Sequence, residues 1–483
     1  MKLKKILEGI ECQKIKGSRD IEITGICGDS RFAAPGNLFL AKRGESFDGN
    51  AFIVDAIKAG ASAIMSEVYN PFLENVVQIV HEDVSSVEAE IAARYYRFPA
   101  EELFMVGITG TNGKTTTTYL VKHILDGLQI PSGLIGTVEY ITGKNRVVSS
   151  RTTPDQISLQ KMLREMRMNE CSACAMEVSS HGLIQERTKH VDFDVGIFTN
   201  LTLDHLDYHK TMEEYAKAKQ KLFASLGNNG VAIINADSSY ASFMAEPVKG
   251  RVLYYGIDAG CDIKAESISF SPRKSEFVVT YQDQREKFSS HLIGRFNVYN
   301  ILAAIAVGIS RGIPLRVLQS IISTFEQVPG RLERVIHRKN FHVFVDYAHS
   351  DDALQNVLLT LREIKKNRIL TVFGCGGDRD RSKRSKMGKV SDELSDFTII
   401  TSDNPRSEDP KQIIEEIEKG FSSDRYIVEL DRKEAITKAV LLALDEDIIL
   451  IAGKGHEPYQ IFSGQTFPFD DRLVAKEICD SSC

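Results

Sequence analysis

The chain has 483 residues, too many for one comfortable domain and enough for about three, each able to bury its own core. Apolar residues make up 42% and charged residues 26%, which excludes a disordered or fibrous chain; a net charge of −6 gives no global basic field to attract nucleic acid or an anionic membrane. Residues 1–5 are basic, but Glu8, Glu11 and Lys14 follow at once, so no apolar signal core or membrane span is expected. Eight cysteines, of which only Cys171 and Cys174 are closely spaced, fit reduced thiols in a cytoplasmic protein. That pair has no second Cys or His pair at ligand spacing, and it lies in an apolar run that reads as a strand.

Residues 1–98 mix short β-type runs with turn signals at 34–37 (Ala-Pro-Gly-Asn) and 47–50 (Phe-Asp-Gly-Asn) and carry no nucleotide motif, which predicts a small α/β domain. A boundary is expected near residue 98, where Tyr95 to Pro99 interrupts a helical pattern. Residues 103–109, 173–178, 194–200 and 231–235 are apolar runs of strand length, and 213–226 has helical periodicity. Alternation of that kind predicts a mostly parallel sheet over 99–328. After a helix at 300–309, the sequence Val328, Pro329, Gly330, Arg331 marks a second boundary. Strands are predicted at 341–347, 368–373, 397–401 and 448–452, each ending in polar or glycine-rich sequence where open α/β sheets hold ligands. The expected fold class is α/β in three domains, with a central phosphate-loop ATPase domain and a Rossmann-like domain over 329–483.

The segment 107–116 reads Gly-Ile-Thr-Gly-Thr-Asn-Gly-Lys-Thr-Thr between a predicted strand and a helix with Leu120, Val121, Ile124 and Leu125 on its apolar face. Glycines let backbone N–H groups approach phosphate oxygens, the helix N-terminus adds positive potential, Lys114 supplies charge, and the Thr115 hydroxyl can ligate Mg²⁺. Ile108 stands where the strict pattern has glycine, so the loop is a variant form. ATP is therefore expected on Gly110, Thr111, Asn112, Gly113, Lys114, Thr115 and Thr116. Downstream, Glu177 and His205 sit in polar segments after buried strands, and a carboxylate and a neutral imidazole beside Thr115 make an oxygen-rich Mg²⁺ environment. Asp204 and Thr202 read equally well as helix caps, and His209 as a structural histidine.

The wording of 109–116 resembles the loop of the Mur ligases, which add amino acids to the peptidoglycan precursor, and the resemblance extends from Asp29 to Glu457. It implies a carbamylated lysine at Lys219, acting with Lys114 and His205 in catalysis and joining Thr115, Glu177 and His205 around Mg²⁺. Without the resemblance, Lys217, Lys219 and Lys221 would be a solvated helix face. It also implies further ATP contacts from Asn297, Arg331 and His349, residues that read almost as well as a helix start and inter-domain polar contacts. Ser350, Asp351 and Asp352 follow His349 where the family often has a proline. For the substrate UDP-N-acetylmuramoyl-L-alanyl-D-glutamate, the resemblance carries Gly28, Ser30, Glu45 and Ser46 of an N-terminal UDP-binding domain. Thr152, Thr153, Ser179, Gln185 and Arg187 follow, with Arg151 departing from the polar amide of some relatives.

Three further segments resemble the branch that adds a dibasic amino acid as third residue of the stem: 374–380 (Gly-Cys-Gly-Gly-Asp-Arg-Asp), 403–406 (Asp-Asn-Pro-Arg) and 453–457 (Gly-Lys-Gly-His-Glu). Arg379, Asp403, Asn404, Pro405, Arg406, Gly453 and Glu457 are then expected to bind meso-2,6-diaminopimelate, since an arginine fork suits its distal carboxylate and Glu457 its distal ammonium. Apart from Arg379, most charges of 379–386 read as a solvated basic stretch. The implied reaction passes through an acyl phosphate of the D-glutamate γ-carboxylate, in a monomeric enzyme with hinges near residues 98 and 329. The alternatives are the same ligation with L-lysine, another Mur or folylpolyglutamate-type ligase lacking the 403–406 motif, and a nucleotide-driven switch that ligates nothing.

Overall fold

Residues 448–452 are all apolar and all buried, and their alternation shows how the C-terminal sheet is built. Ile448, Leu450 and Ala452 enter one core, with Phe344, Ile369, Phe373 and Ile400, whereas Ile449 and Ile451 enter another, with Val343, Val345, Leu370, Val372 and Ile399. A strand covered on both faces needs apolar residues at both parities, so it reads as an unbroken hydrophobic run. The computed structural model describes residues 1–44 and 48–481, and it divides into two units, Met1–Tyr255 and Gly256–Cys483. Glu45 and Ser46 lie outside the described residues.

The first unit holds two sheets. The N-terminal one has the order β1-β5-β4-β3-β2, built from β1 (Lys14–Lys16), β2 (Gly25–Cys27), β3 (Asn37–Ala41), β4 (Ala63–Ser66) and β5 (Val77–Val80). Only β1 runs antiparallel to its neighbour. Asp83 caps the helix Val84–Tyr95 through bonds from the Ser85 and Ser86 amides. The second sheet is formed by β6 (Phe104–Thr109), β7 (Ser132–Ile135), β8 (Glu139–Thr142), β9 (Asn145–Val148), β10 (Ala173–Glu177), β11 (Val195–Phe198), β12 (Val231–Asn235) and β13 (Arg251–Gly256). β6 lies at its centre, paired in parallel with β10 on one side and β11 on the other. Chain order therefore reverses around β6, and the polar ends of β10 and β11 flank the segment that follows it. Cys174 lies in β10 and Cys171 just before it, both buried.

In the second unit, β14 (Ile263–Phe270), β15 (Ser275–Tyr281) and β16 (Gln284–Ser290) are antiparallel. A six-stranded sheet has the order β17-β18-β22-β19-β20-β21, from β17 (Glu333–Val335), β18 (His342–Asp346), β19 (Ile369–Phe373), β20 (Phe397–Ile400), β21 (Tyr426–Val428) and β22 (Ile448–Ala452). It is parallel except for β17, so the polar ends of β18, β19, β20 and β22 share one edge.

The basic stretch 379–386 is solvated only in part, which corrects the sequence reading at one residue. Arg384 in the helix Ser382–Leu394 is fully buried, and its guanidinium donates to Glu408, Glu416 and the Gly376 carbonyl. Two carboxylates 24 and 32 residues away in sequence draw it inward, a partnership that no local pattern reveals. Arg384→Met should destabilise the protein by about 3 kcal/mol, read as a lower urea midpoint, because it strands two partly desolvated carboxylates.

Candidate active site

After β6, the loop 110–113 leads into the helix Lys114–Gly127. Gly110 has φ +151°, and a Cβ there would lie 1.8 Å from Thr199 Oγ1, so only glycine lets the loop meet the end of β11. The loop is laced to that segment. Thr111 N donates to the Asn200 carbonyl (2.9 Å), Asn112 N to Asn200 Oδ1 (2.9 Å), and Thr202 N to Thr111 Oγ1 (3.0 Å). Thr199 Oγ1 donates to the Asn112 carbonyl at 2.6 Å. Thr199 and Asn200 were not assigned from sequence, and Thr202, which reads there as a helix cap, instead bonds the loop, the next helix having His205 at its N-cap and no side-chain cap. Thr115 and Thr116 are buried in the first turn of the helix, and Lys114 Nζ donates to the carbonyls of Gly110 (2.9 Å) and Thr111 (2.8 Å).

Lys219 is drawn into the same place. In the helix Met212–Ala224, Lys217 and Lys221 face solvent, but Lys219 is 1% exposed and donates from Nζ to the Gly110 carbonyl at 2.8 Å. The solvated-face reading thus fails at this residue. Burial, then the charge of Lys114, holds the Lys219 amine well below the usual lysine range, with Asp204 opposing. Its Nζ also lies 4.5 Å from the Tyr215 ring centroid, and the Tyr215 hydroxyl is 3.2 Å from Thr111 Oγ1.

Glu177, at the end of β10, is 1% exposed and accepts from Thr137 N (2.8 Å) and Thr137 Oγ1 (2.9 Å), leaving further lone pairs. His205 is half-exposed with φ +54° beside Asp204, and partial burial lowers its pKa while Asp204 pulls it back. Its ring is 5.1 Å from that of His181. His209 is buried, with Nε2 2.8 Å from Ser180 Oγ and its ring 4.9 Å from Tyr215, and burial pushes its pKa to about 4. Among the described residues, no group of three or more His, Cys, Asp and Glu could hold a metal by itself. Mg²⁺ commonly takes one or two carboxylates and completes its shell with phosphate and water, so the donor set of Thr115, Glu177, His205 and a carbamate fits that ion.

Beyond Glu177, the residues expected to face the muramoyl dipeptide come together. Thr153 Oγ1 donates to the Glu177 carbonyl (2.9 Å) and accepts from Ser179 N (3.0 Å), while Thr152 Oγ1 is 3.1 Å from Thr137 Oγ1. Ser179 caps the helix Ser180–Ile184. Arg187 donates to the Thr153 carbonyl (2.7 Å) and to Gln185 Oε1 (2.6 and 3.0 Å), which orients its fork. In the N-terminal sheet, Gly28 follows β2 beside Lys42 and the buried carboxylate of Glu88, which form an ion pair, and Ser30 opens a short 3₁₀ turn.

In the second unit the motifs converge at the sheet edge. Asp403, Asn404 and Pro405 are buried after β20, and Gly453 follows β22 with φ +112°. A Cβ on Gly453 would lie 2.5 Å from Asp403 Oδ2, which explains the glycine. Lys454 is fully buried and donates to Asn404 Oδ1 (3.1 Å) and Glu457 Oε2 (3.4 Å), and Asn404 Nδ2 donates to Glu457 Oε2 (2.9 Å). Burial raises the Glu457 pKa, opposed by Lys454. Arg406 takes a left-handed backbone, φ +54°, pinned by its N–H to the Ile461 carbonyl (3.0 Å), and its Nη1 donates to the Gly377 carbonyl at 2.8 Å. Arg379 is exposed nearby, its Cγ 3.7 Å from a Cβ on Gly376, which would also lie 2.9 Å from Arg406 Nη1.

Along the same edge, Arg331 lies 4.8 Å from the Tyr347 ring centroid, and His349 is exposed with Nδ1 donating to the Tyr347 carbonyl. Ser350 caps the helix Asp351–Ile364 through its hydroxyl, with Asp351 and Asp352 in the first turn. Asn297 is buried, its carboxamide committed to the Ile293 carbonyl and Asn300.

A glycine-rich loop at the reversal point of a parallel sheet, carrying a lysine and two hydroxyls into a helix, defines an α/β enzyme of the phosphate-loop class. The chain matches the Mur ligase family catalytic domain over residues 22–96, the Mur ligase middle domain over 108–308 and the Mur ligase glutamate ligase domain over 330–455. It belongs to the Mur ligase family. It is 46% identical over 484 residues, all of both chains, to a UDP-N-acetylmuramoyl-L-alanyl-D-glutamate--2,6-diaminopimelate ligase of Chlamydia caviae, and 46% identical over the same span to that of Chlamydia pneumoniae. A solved structure of an enzyme of the same name superposes with a TM-score of 0.71 at 32% identity, covering 99% of this chain and 98% of that one.

Because the Lys219 pKa is lowered on folding, the unfolded chain binds the extra proton below 10.5 and folding is favoured as pH rises. In buffer purged of CO₂, the stability of the wild type relative to Lys219→Met should therefore grow from neutral pH towards 10.5, read by denaturant titration at several pH values.

Proposed function

We propose that the chain ligates meso-2,6-diaminopimelate to UDP-N-acetylmuramoyl-L-alanyl-D-glutamate with cleavage of ATP to ADP and phosphate, in the cytoplasm and as a monomer. It is an ATP-dependent acid–amino-acid ligase of peptidoglycan precursor synthesis. Full-length similarity to relatives of that name supports the substrates. The observation that carries the choice of amino acid is the buried cluster of Asp403, Asn404, Lys454 and Glu457, with Arg406 held beside it in a strained backbone. No helix among the described residues is long and apolar enough to cross a membrane.

ATP lies along Gly110, Thr111, Asn112, Gly113, Lys114, Thr115 and Thr116, where backbone N–H groups and the Lys114 ammonium face phosphate oxygens. Arg331 and His349 would supply further contacts, whereas the buried Asn297 carboxamide is already committed to Ile293 and Asn300. Lys219, held as a free amine, adds to CO₂: its nitrogen forms a bond to carbon and sheds a proton, and the neutral amine becomes a carboxylate. Thr115, Glu177, His205 and that carbamate would hold Mg²⁺, which supplies charge neutralisation at the transferred phosphoryl group.

Thr152, Thr153, Ser179, Gln185 and Arg187 hold the dipeptide end of the first substrate, with Gly28, Ser30, Glu45 and Ser46 towards the UDP. The D-glutamate γ-carboxylate oxygen attacks the γ-phosphorus and ADP leaves. The amine of diaminopimelate then attacks the acyl carbon and loses a proton, and phosphate departs from the tetrahedral intermediate. Arg379 and Arg406 bind the distal carboxylate, Glu457 the distal ammonium, and Asp403, Asn404, Pro405 and Gly453 shape the pocket.

Phosphate release with ATP, Mg²⁺ and the muramoyl dipeptide tests this reading. Release is expected with meso-diaminopimelate and absent with L-lysine or no amino acid; release with lysine alone would reassign the substrate, and release regardless of amino acid would replace the ligase by an ATPase switch. Arg406→Met should raise KM for diaminopimelate about 10–100-fold, the cost of about 1.5–3 kcal/mol for one charge-assisted bond. Protein stripped of CO₂ should lose activity and regain it with bicarbonate, whereas Lys219→Met stays inactive under both conditions.

A further inference from the structure

Arg432 opens the helix Arg432–Leu442 and is 1% exposed, a guanidinium deep in the protein that no motif singles out. Its Nε and Nη2 donate to Asp471 at 2.7 and 2.8 Å, and Asp471, the first residue of the helix Asp471–Ser481, is itself fully buried. Two further N–H groups reach backbone carbonyls: Nη1 to Ser402 at 3.2 Å and Nη2 to Ala452 at 2.9 Å. Ser402 immediately precedes Asp403, and Ala452 immediately precedes Gly453.

These two carbonyls belong to chain segments that no ladder connects. β20 and β22 lie on opposite sides of β19, so strand pairing does not set the end of one against the end of the other. Yet the loops beyond them must meet closely, because Gly453 approaches Asp403 and Lys454 bonds to Asn404. A planar fork with five donors can hold a carboxylate and two carbonyls at once, which an ammonium cannot do with fixed geometry.

We infer that Arg432, oriented by Asp471, is a positioning residue for the amino-acid site: it sets the spacing between the 403–406 and 453–457 segments without touching the substrate. This rests on those segments binding the incoming amino acid. A displacement of about 1 Å in a substrate-positioning group can cost about a hundredfold, so the effect should be specific and large.

The test is steady-state phosphate release by the full chain, varying diaminopimelate, ATP and the muramoyl dipeptide in turn, for wild type, Arg432→Gln, Arg432→Lys and Asp471→Asn, with thermal midpoints alongside. Arg432→Gln should raise KM for diaminopimelate about tenfold or more with KM for ATP within about twofold, and Arg432→Lys should recover part of the loss. An unchanged KM for diaminopimelate with a lower kcat or midpoint, or all three KM values rising in proportion, would reduce Arg432 to a structural ion pair and overturn the inference. Should Arg432→Gln fail to fold, Arg432→Lys and Asp471→Asn decide on the same criterion. Wild type showing no dependence on diaminopimelate would instead overturn the substrate assignment itself.

Discussion

Two lysine side chains converge on one carbonyl oxygen. Lys114 and Lys219 both donate to the Gly110 oxygen, and two ammonium ions sharing an acceptor away from water would repel each other strongly. Burial first, then repulsion from Lys114, lowers the pKa of Lys219 and so favours its free amine. Much of the first unit maintains this encounter. Gly110 can turn towards Lys219 only because it lacks a side chain against Thr199, and Thr111 and Asn112 are tied to the segment after β11. The Tyr215 ring lies over the Lys219 nitrogen and its hydroxyl reaches back to Thr111, and the His209 ring packs tilted against Tyr215. A nucleophilic amine beside a phosphate-loop lysine is thus a product of packing, and it is what carbamate formation requires.

The second unit solves a different problem with similar means. A parallel sheet delivers several strand ends to one edge but leaves their loops unpaired. Buried cations do the joining. Lys454 links Asn404 to Glu457, Arg384 ties the 374–377 turn to Glu408 and Glu416, and Arg432 spans the ends of β20 and β22. Each cation meets carboxylate or carbonyl oxygens that take up most of its donors, although Arg384 Nε is left without a partner, and without those acceptors burial would be prohibitive.

The strands legible in the sequence, β6, β10, β11, β12, β18, β19, β20 and β22, are those whose burial on both faces leaves an unbroken apolar run. Residues 231–235 and 448–452 emerged with the bounds expected, and 103–109 and 341–347 lost only one residue or two at their ends. The antiparallel strands β14, β15 and β16 were not anticipated: their burial alternates, and the charges of Lys264, Glu266, Glu276, Arg285 and Lys287 occupy outward positions that resemble a surface loop. The phosphate loop was visible because its chemistry is local, with glycines, lysine and hydroxyls inside ten residues. Lys219 reads with Lys217 and Lys221 as a solvated face, but residues two apart on a helix do not share a face, and its period places Lys219 with the buried Tyr215, Leu222 and Phe223.

Sequence alone determined the α/β class, the position of the phosphate loop and the segments carrying the amino-acid motifs, because each depends on periodicity or on residues close together in the chain. Tertiary structure decided which acceptor meets the Lys219 amine, which arginine of the basic stretch is structural, and that Arg432 stands behind two motifs. Those outcomes depend on partners far away in sequence, Gly110 for Lys219, Glu408 for Arg384 and Asp471 for Arg432. A charged side chain reads the same in sequence whether water or a distant carboxylate satisfies it, and only the fold chooses between them.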